Sequence, residues 1–165
     1  MIITFINYYI AKEKNNMASD RIHESLYLFN QGYNCSQAVF SVYAEENGLD
    51  PDLARKIATS LGAGISRTGN ICGAVSGAIL AIGLIHGMNR PDDTEAREKS
   101  YQLTQEFMKT FTDRYGSVSC PTLLGYHLGI PAEREEAGRK GVVKDICPGL
   151  VRGAAEILKE ILEKN

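Results

Sequence analysis

The chain has 165 residues, of which 44% are hydrophobic and 23% charged, and its formal net charge is −2. This length is enough for one domain with its own hydrophobic core, and we expect a single domain over residues 17–165. The small net charge and the lack of a Lys/Arg stripe exclude a typical nucleic-acid-binding surface.

Residues 1–16 stand apart from this predicted domain. Residues 1–10 are apolar, but they are too few to span a bilayer and lack the basic flank and cleavage site of a signal peptide. Lys12-Glu13 can be encoded by a ribosome-binding sequence at a suitable distance before Met17. We therefore predict that translation begins at Met17, that residues 1–16 are leader read-through or an extension, and that the protein is cytoplasmic, with no membrane association.

The first part of the chain predicts three amphipathic helices, because its apolar residues recur every three or four positions. The first is capped by Ser19 or Asp20 and ends at Gly32, and the second runs over residues 35–48. The third begins at Asp50-Pro51, and Leu53, Ile57 and Leu61 carry it to Gly62. Residues 62–69 then form a glycine-rich loop.

Residues 72–86 predict the central helix of the fold. This segment is apolar on nearly every side, which is typical of a helix in the middle of a bundle. Gly73 and Gly77 are four residues apart, as are Ala74 and Ala78, so two rows of small side chains allow neighbouring helices to approach closely. The same rows would also permit pairing between two copies of the chain, as in a homo-oligomer.

The remaining sequence continues the helical pattern. It predicts a long helix over residues 91–115, a short segment over 122–128, a polar stretch at 133–140 with a turn of helix, and a last helix opening at residues 145–148. Period-two alternation never persists long enough to indicate a sheet. We therefore predict an all-α, single-domain bundle of six or seven helices around the central helix that starts at Cys72.

The four cysteines all precede or begin predicted helices: Cys35, Cys72, Cys120 and Cys147. A helix N-terminus offers free N–H groups and the positive end of the helix dipole, which favour a thiolate over a thiol. No Cys-x-x-Cys pair is present, so only the fold could gather these residues. In a chain without a secretory signal we expect free or metal-bound thiols rather than disulfides.

Three kinds of chemistry fit four such thiols. Thiolates are soft ligands suited to an iron–sulfur cluster, zinc or a cuprous ion. Alternatively, two of them form a dithiol/disulfide couple, with Cys72 as the attacking thiolate because it faces the glycine-rich loop. In the third interpretation the protein is a non-enzymatic scaffold with structural zinc or buried free thiols.

Arg67, in the glycine-rich loop before the central helix, is a further candidate. Its guanidinium and the helix N-terminus could hold a phosphate or another anion, or Arg67 could pair with a thiolate or cluster. The simpler alternative is a surface arginine on a flexible loop.

The sequences around the four cysteines also resemble those of a known protein family. One cysteine precedes Ser-Gln-Ala, the next opens Cys-Gly-Ala-Val-Ser-Gly, and the last two precede Pro-Thr-Leu-Leu-Gly and Pro-Gly-Leu-Val. Over residues 22–158 the chain resembles the C-GCAxxG-C-C family of redox proteins, although Ile71 stands where the family pattern has a glycine before the central cysteine. The resemblance implies that the signature thiols are Cys35, Cys72, Cys120 and Cys147 and that the central motif contains Gly73, Ala74 and Gly77.

The resemblance also implies a function. The family is related to a domain of split-Soret cytochrome c, where an iron–sulfur centre accompanies haem. The resemblance therefore favours an iron–sulfur cluster that serves electron transfer or redox sensing, with an electron-transfer protein as partner. Covalent c-type haem is not expected, because the chain has no Cys-x-x-Cys-His sequence.

Overall fold

The structure, a computed structural model, describes residues 21–165. These residues form helices joined by short connections, and their one strand-like feature is an isolated bridge between Ile71 and Ser119. The all-α class is therefore confirmed. The helices are α1 (residues 21–30), α2 (Cys35–Glu46), α3 (Pro51–Ala58), α4 (Gly62–Arg67), α5 (Gly73–His86), α6 (Thr94–Tyr115), α7 (Cys120–Leu124), α8 (Pro131–Arg139) and α9 (Val142–Lys164).

Helix α5 is the central helix, as predicted. It packs against α2, α6 and α9, and Ala74 and Ala78 on its surface are fully buried. Gly77 faces the backbone of α2, where an added Cβ would lie 2.6 Å from the carbonyl oxygen of Ser36. The small residues of α5 therefore set how closely α2 and α5 approach each other.

The capping box of α2 fixes where that helix begins. The side chain of Asn34 accepts hydrogen bonds from the N–H groups of Ser36 and Gln37, and the Gln37 side chain accepts one from the N–H of Asn34. Asn34 Nδ2 also donates to the carbonyl oxygen of Thr59. These bonds tie the start of α2, and with it Cys35, to the 3-10 turn Thr59–Leu61 that follows α3.

Helix α3 buries two alanines rather than its larger apolar residues. Leu53 and Ile57 are each 46% exposed, whereas Ala54 and Ala58 are fully buried. Helix α3 packs directly on α2. We infer that this face of α3 accepts only methyl-sized side chains, so the alanines lie inside and the larger apolar residues lie outside.

The predicted start of the last helix was wrong. Helix α9 begins at Val142, directly after Gly141, whose φ of 71° ends the preceding connection. Cys147 and Pro148 therefore lie inside α9 rather than at its N-terminus. The short helix α7 begins at Cys120 and ends at Leu124, earlier than predicted. The polar stretch is helix α8, which begins at Pro131.

Two expectations concern residues outside the described range. The translation start at Met17, with residues 1–16 as an extension, lies there, and so does the cap of the first helix at Ser19 or Asp20. Within the range that is described, no helix is both long and apolar enough to cross a membrane.

Replacing Gly77 by alanine should destabilise the protein. The new Cβ would collide with the backbone of α2, so we expect the free energy of unfolding to fall by about 1–3 kcal/mol, as in other overpacked cores. Urea denaturation measures this change.

Gly83→Ala on the same helix is the matched control. An added Cβ there meets no atom within 4 Å, so alanine should stabilise the helix by about 0.5–1 kcal/mol. Equal effects of the two substitutions would contradict a steric role for Gly77.

Candidate functional site

The four cysteines all line one cavity, of about 590 Å³. They come from four elements: the first residues of α2 and α7, the residue before α5, and the second turn of α9. All four are free thiols and all are buried. The fold thus brings together the residues that the sequence separates: Cys35, Cys72, Cys120 and Cys147.

Cys35 and Cys72 form the closest-coupled pair in this cavity. Cys35 opens α2 and Cys72 is the N-cap of α5, so the close approach of these two helices places the thiols side by side. Gly73 makes this possible, because an added Cβ at that position would collide with the Cys35 sulfur. The Cys72 thiol donates a hydrogen bond to Cys35 Sγ.

This hydrogen bond gives the two thiols opposite properties. It lowers the pKa of Cys35 to about 6, against the effect of burial, and N–H groups of Ala63 and Ser36 add to the lowering. The same bond is the largest cause of a raised pKa at Cys72, where burial and the negative charge of Cys35 act in the same direction. The pair therefore shares one proton, and the N–H groups of Ala63 and Ser36 favour the thiolate on Cys35.

The glycine-rich loop is not an open loop but a left-handed turn within α4. Residues 63–67 all have φ between 51° and 69°, including the non-glycine residues Ala63, Ile65, Ser66 and Arg67. A left-handed conformation costs roughly 1–2 kcal/mol for each such residue. Ser66 Oγ donates to the carbonyl oxygen of Ser60 and holds the turn in place. Strain of this kind is typical of functional sites.

The left-handed turn contacts two of the cysteines. The N–H of Ala63 donates to the Cys35 sulfur, and Gly64 lies so close to Cys120 that an added Cβ would be 2.8 Å from the cysteine Cβ. The carbonyl oxygen of Asn70, just beyond the turn, accepts the N–H of Cys120, while the N–H of Cys72 donates to Val118 O. Cys72 and Cys120 are thereby fixed next to each other.

Cys120 and Cys147 differ from Cys35. Burial raises the pKa of Cys120 to about 11 and that of Cys147 to about 12, and the charge of Cys35 contributes to both. The prediction that a helix start lowers the pKa of every cysteine is therefore wrong for these two, as it is for Cys72. Cys147 lies inside α9, away from its N-terminus, and for Cys120 desolvation outweighs the helix dipole.

The structure does not bring every predicted residue to the cavity. Gly73 lies against Cys35, whereas Arg67 is exposed at the end of the left-handed turn and does not line the cavity. Sequence reasoning missed Ala63 and Lys144, which do line it. Lys144 lies three residues before Cys147, so a correct start for α9 would have placed both on one helix face. No sequence signal marks the backbone N–H of Ala63.

The thiols suit a soft metal in their chemistry, but their described arrangement does not hold a single ion. Among residues 21–165, no three His, Cys, Asp or Glu side chains are placed so that they could hold one metal ion. A single ion such as zinc would therefore require at least three of the sulfurs to move closer together than they lie here.

Fold and site define an all-α protein with four thiols around one cavity. A family model described as "Putative redox-active protein (C_GCAxxG_C_C)" matches residues 33–161, which is most of the chain. The chain belongs to this family, as the resemblance of its cysteine motifs predicted, and membership supports a redox role. No curated protein and no solved structure matches the chain.

Alkylation of Cys35 should follow its lowered pKa. The thiolate is the reactive form, so the rate of modification by iodoacetamide should be half-maximal near pH 6 and fall as the pH drops further. The reaction is quenched at several times, and peptide mass spectrometry then gives this rate for each cysteine.

Two variants of Cys72 test whether its hydrogen bond lowers the pKa of Cys35. Cys72→Ala removes the donor, so the pKa of Cys35 should rise and its alkylation at pH 7 should slow roughly tenfold. Cys72→Ser keeps a donor and should retain much of the reactivity. A Cys35 profile unchanged in Cys72→Ala would contradict the assigned hydrogen bond.

Proposed function

We propose that this protein is a thiol–disulfide redox protein whose reacting residues are Cys35 and Cys72. Cys35 is the attacking thiolate and Cys72 the resolving thiol. The observation that carries the proposal is the hydrogen bond from the Cys72 thiol to Cys35 Sγ inside a cavity. This assignment reverses the role expected for Cys72 from the sequence, because the directions of the two pKa shifts favour Cys35 as the thiolate.

The reaction has two steps. In the first, the Cys35 thiolate attacks one sulfur of a substrate disulfide; a mixed disulfide forms and one substrate thiolate leaves. In the second, Cys72 loses its proton and attacks Cys35 Sγ, which forms the Cys35–Cys72 disulfide and releases the second substrate thiolate. The protein is oxidised by two electrons, and the substrate disulfide is reduced to one thiol, which takes the proton of Cys72, and one thiolate, which is protonated by water according to its own pKa.

The surroundings of the pair support this chemistry. Burial alone would keep a thiol protonated and inert. The N–H groups of Ala63 and Ser36 and the thiol of Cys72 point at the Cys35 sulfur and offset that effect. The low pKa makes Cys35 reactive at neutral pH and also makes it a good leaving group when the internal disulfide is reduced again.

Oxidation by a small disulfide should produce one Cys35–Cys72 bond per chain. We expect intact-mass and peptide analysis of the oxidised protein to give this disulfide and two free thiols, at Cys120 and Cys147. Cys72→Ser should stop at the mixed disulfide on Cys35, and Cys35→Ser should not react at this site.

Cys120→Ser is the matched control. It removes a buried cysteine of the same cavity and should leave formation of the Cys35–Cys72 disulfide intact. The proposal fails if Cys35→Ser forms adducts as fast as the unmodified protein, or if the internal disulfide joins other residues.

A second candidate function is electron transfer or redox sensing through an iron–sulfur cluster held by all four cysteines, or a structural role with zinc. The observation that favours it is that all four thiols line the same cavity. Cysteine sulfur is the usual ligand of such clusters. The described thiols do not gather three at one ion, which disfavours zinc. Thiol–disulfide exchange ranks first because Cys35 and Cys72 already share a hydrogen bond.

Anaerobic reconstitution separates the two candidates. Reduced protein is incubated with ferrous iron and sulfide, desalted, and examined by ultraviolet–visible absorption and metal analysis; a parallel sample receives zinc. Under thiol–disulfide exchange we expect no stoichiometric metal. Bound iron and sulfide with charge-transfer absorption, lost in Cys120→Ser and in Cys147→Ser, would establish the cluster instead.

A further inference from the structure

We propose that the cysteine cavity binds a small disulfide that carries a negative charge, and that Lys144 is the residue that selects it. This inference rests on the proposed thiol–disulfide exchange and adds to it the class of substrate.

The cavity favours a small molecule over a protein disulfide. Its volume of about 590 Å³ lies within the range of roughly 300–1,000 Å³ that is typical of small-molecule sites. Cys35 and Cys72 are only 9% and 4% exposed. A substrate must therefore enter the cavity to reach Cys35, which a compact aliphatic disulfide can do more readily than a disulfide in the surface of a folded protein.

The lining of the cavity indicates what else the substrate carries. Large apolar side chains, including Phe29, Leu124 and Leu128, form much of the wall, which suits the carbon chain of the substrate. Among the described residues that line the cavity, Lys144 is the one cation, the Cys35 thiolate is the anion that attacks, and no carboxylate lines it. The carboxylate of the next residue, Asp145, is not part of the lining.

Lys144 is available for a ligand. Its side chain is exposed, and within the described chain it makes no hydrogen bond or ion pair. The nearby Lys140 differs, because it contacts Glu136 and Tyr126. Lys144 precedes Cys147 by three residues in α9, and residues at this spacing share one helix face. Its charge therefore lies on the cysteine side of α9.

A positive charge at this place acts on both steps of the reaction. It attracts a carboxylate of the incoming disulfide, and it stabilises the thiolate that leaves when Cys35 attacks. At distances of several ångströms through partly aqueous surroundings, such a charge changes rates by about three- to tenfold.

Three disulfides of similar size test the proposal on the reduced full-length protein. They are 3,3′-dithiodipropionate, which is a dianion, bis(2-hydroxyethyl) disulfide, which is neutral, and cystamine, which is a dication. The measured quantity is the second-order rate of mixed-disulfide formation at Cys35, followed by quenching and mass spectrometry. Each rate is divided by the rate of the same disulfide with a small free thiol. We expect this ratio to be largest for the dianion, and we expect added salt to reduce the difference between the disulfides.

Variants of Lys144 assign the preference to one residue. Lys144→Gln should slow the dianion about three- to tenfold and leave the neutral disulfide nearly unchanged, and Lys144→Glu should favour cystamine. Lys56→Gln is the matched control, since Lys56 is exposed on α3 and does not line the cavity, so it changes the net charge equally without changing the site. Near-ultraviolet circular dichroism verifies that each variant is folded.

The outcomes separate this inference from the function on which it rests. If all three disulfides oxidise Cys35 and Cys72 without a charge preference, or if Lys144→Gln and Lys56→Gln behave alike, the substrate class is wrong and thiol–disulfide exchange stands. If none of the three oxidises the pair, both the exchange and the substrate class are overturned.

Discussion

The close approach of α2 and α5 is the constraint on which the rest of the site depends. Gly77 admits the backbone of α2, and Gly73 leaves room for the Cys35 sulfur, so two helix starts meet with one thiol on each. A buried thiol surrounded by apolar groups would stay protonated. Because the two thiols share one hydrogen bond, a single proton suffices for both, and the N–H groups around Cys35 favour the negative charge on its sulfur. The packing of small residues and the redox chemistry are thus parts of one arrangement.

The left-handed turn at residues 63–67 completes that arrangement at a cost. Four of its five residues are not glycine, and each resists this conformation by roughly 1–2 kcal/mol. The turn directs the N–H of Ala63 to the Cys35 sulfur and brings Gly64 against Cys120. A right-handed turn would carry these backbone groups elsewhere. The strained backbone therefore lies where the thiolate needs a donor, which gives a physical reason for its place in the fold.

Sequence patterns predicted the parts of this structure that depend on local order. The central helix and its rows of small residues follow from periodicity, and the cysteine motifs identified the thiols that the fold then gathers around one cavity. Three features depended on tertiary packing instead. The buried face of α3 consists of Ala54 and Ala58 because α3 lies directly on α2. Helix α9 begins after Gly141, whereas Pro148 indicated a later start. The left-handed turn has too many non-glycine residues for any local rule to predict it.

The charge on the Cys35–Cys72 pair also affects the pKa values of the other two thiols. The charge of Cys35 contributes to the raised pKa of Cys120 and of Cys147, although burial is the larger cause. Formation of the Cys35–Cys72 disulfide removes that charge, so each remaining thiol must then lose its proton more readily than before, while burial still holds its pKa above the ordinary value. By linkage, the redox state of one pair sets the protonation of its neighbours. Four cysteines around one cavity therefore behave as a coupled set, in which the first oxidation changes the acidity of the thiols that remain.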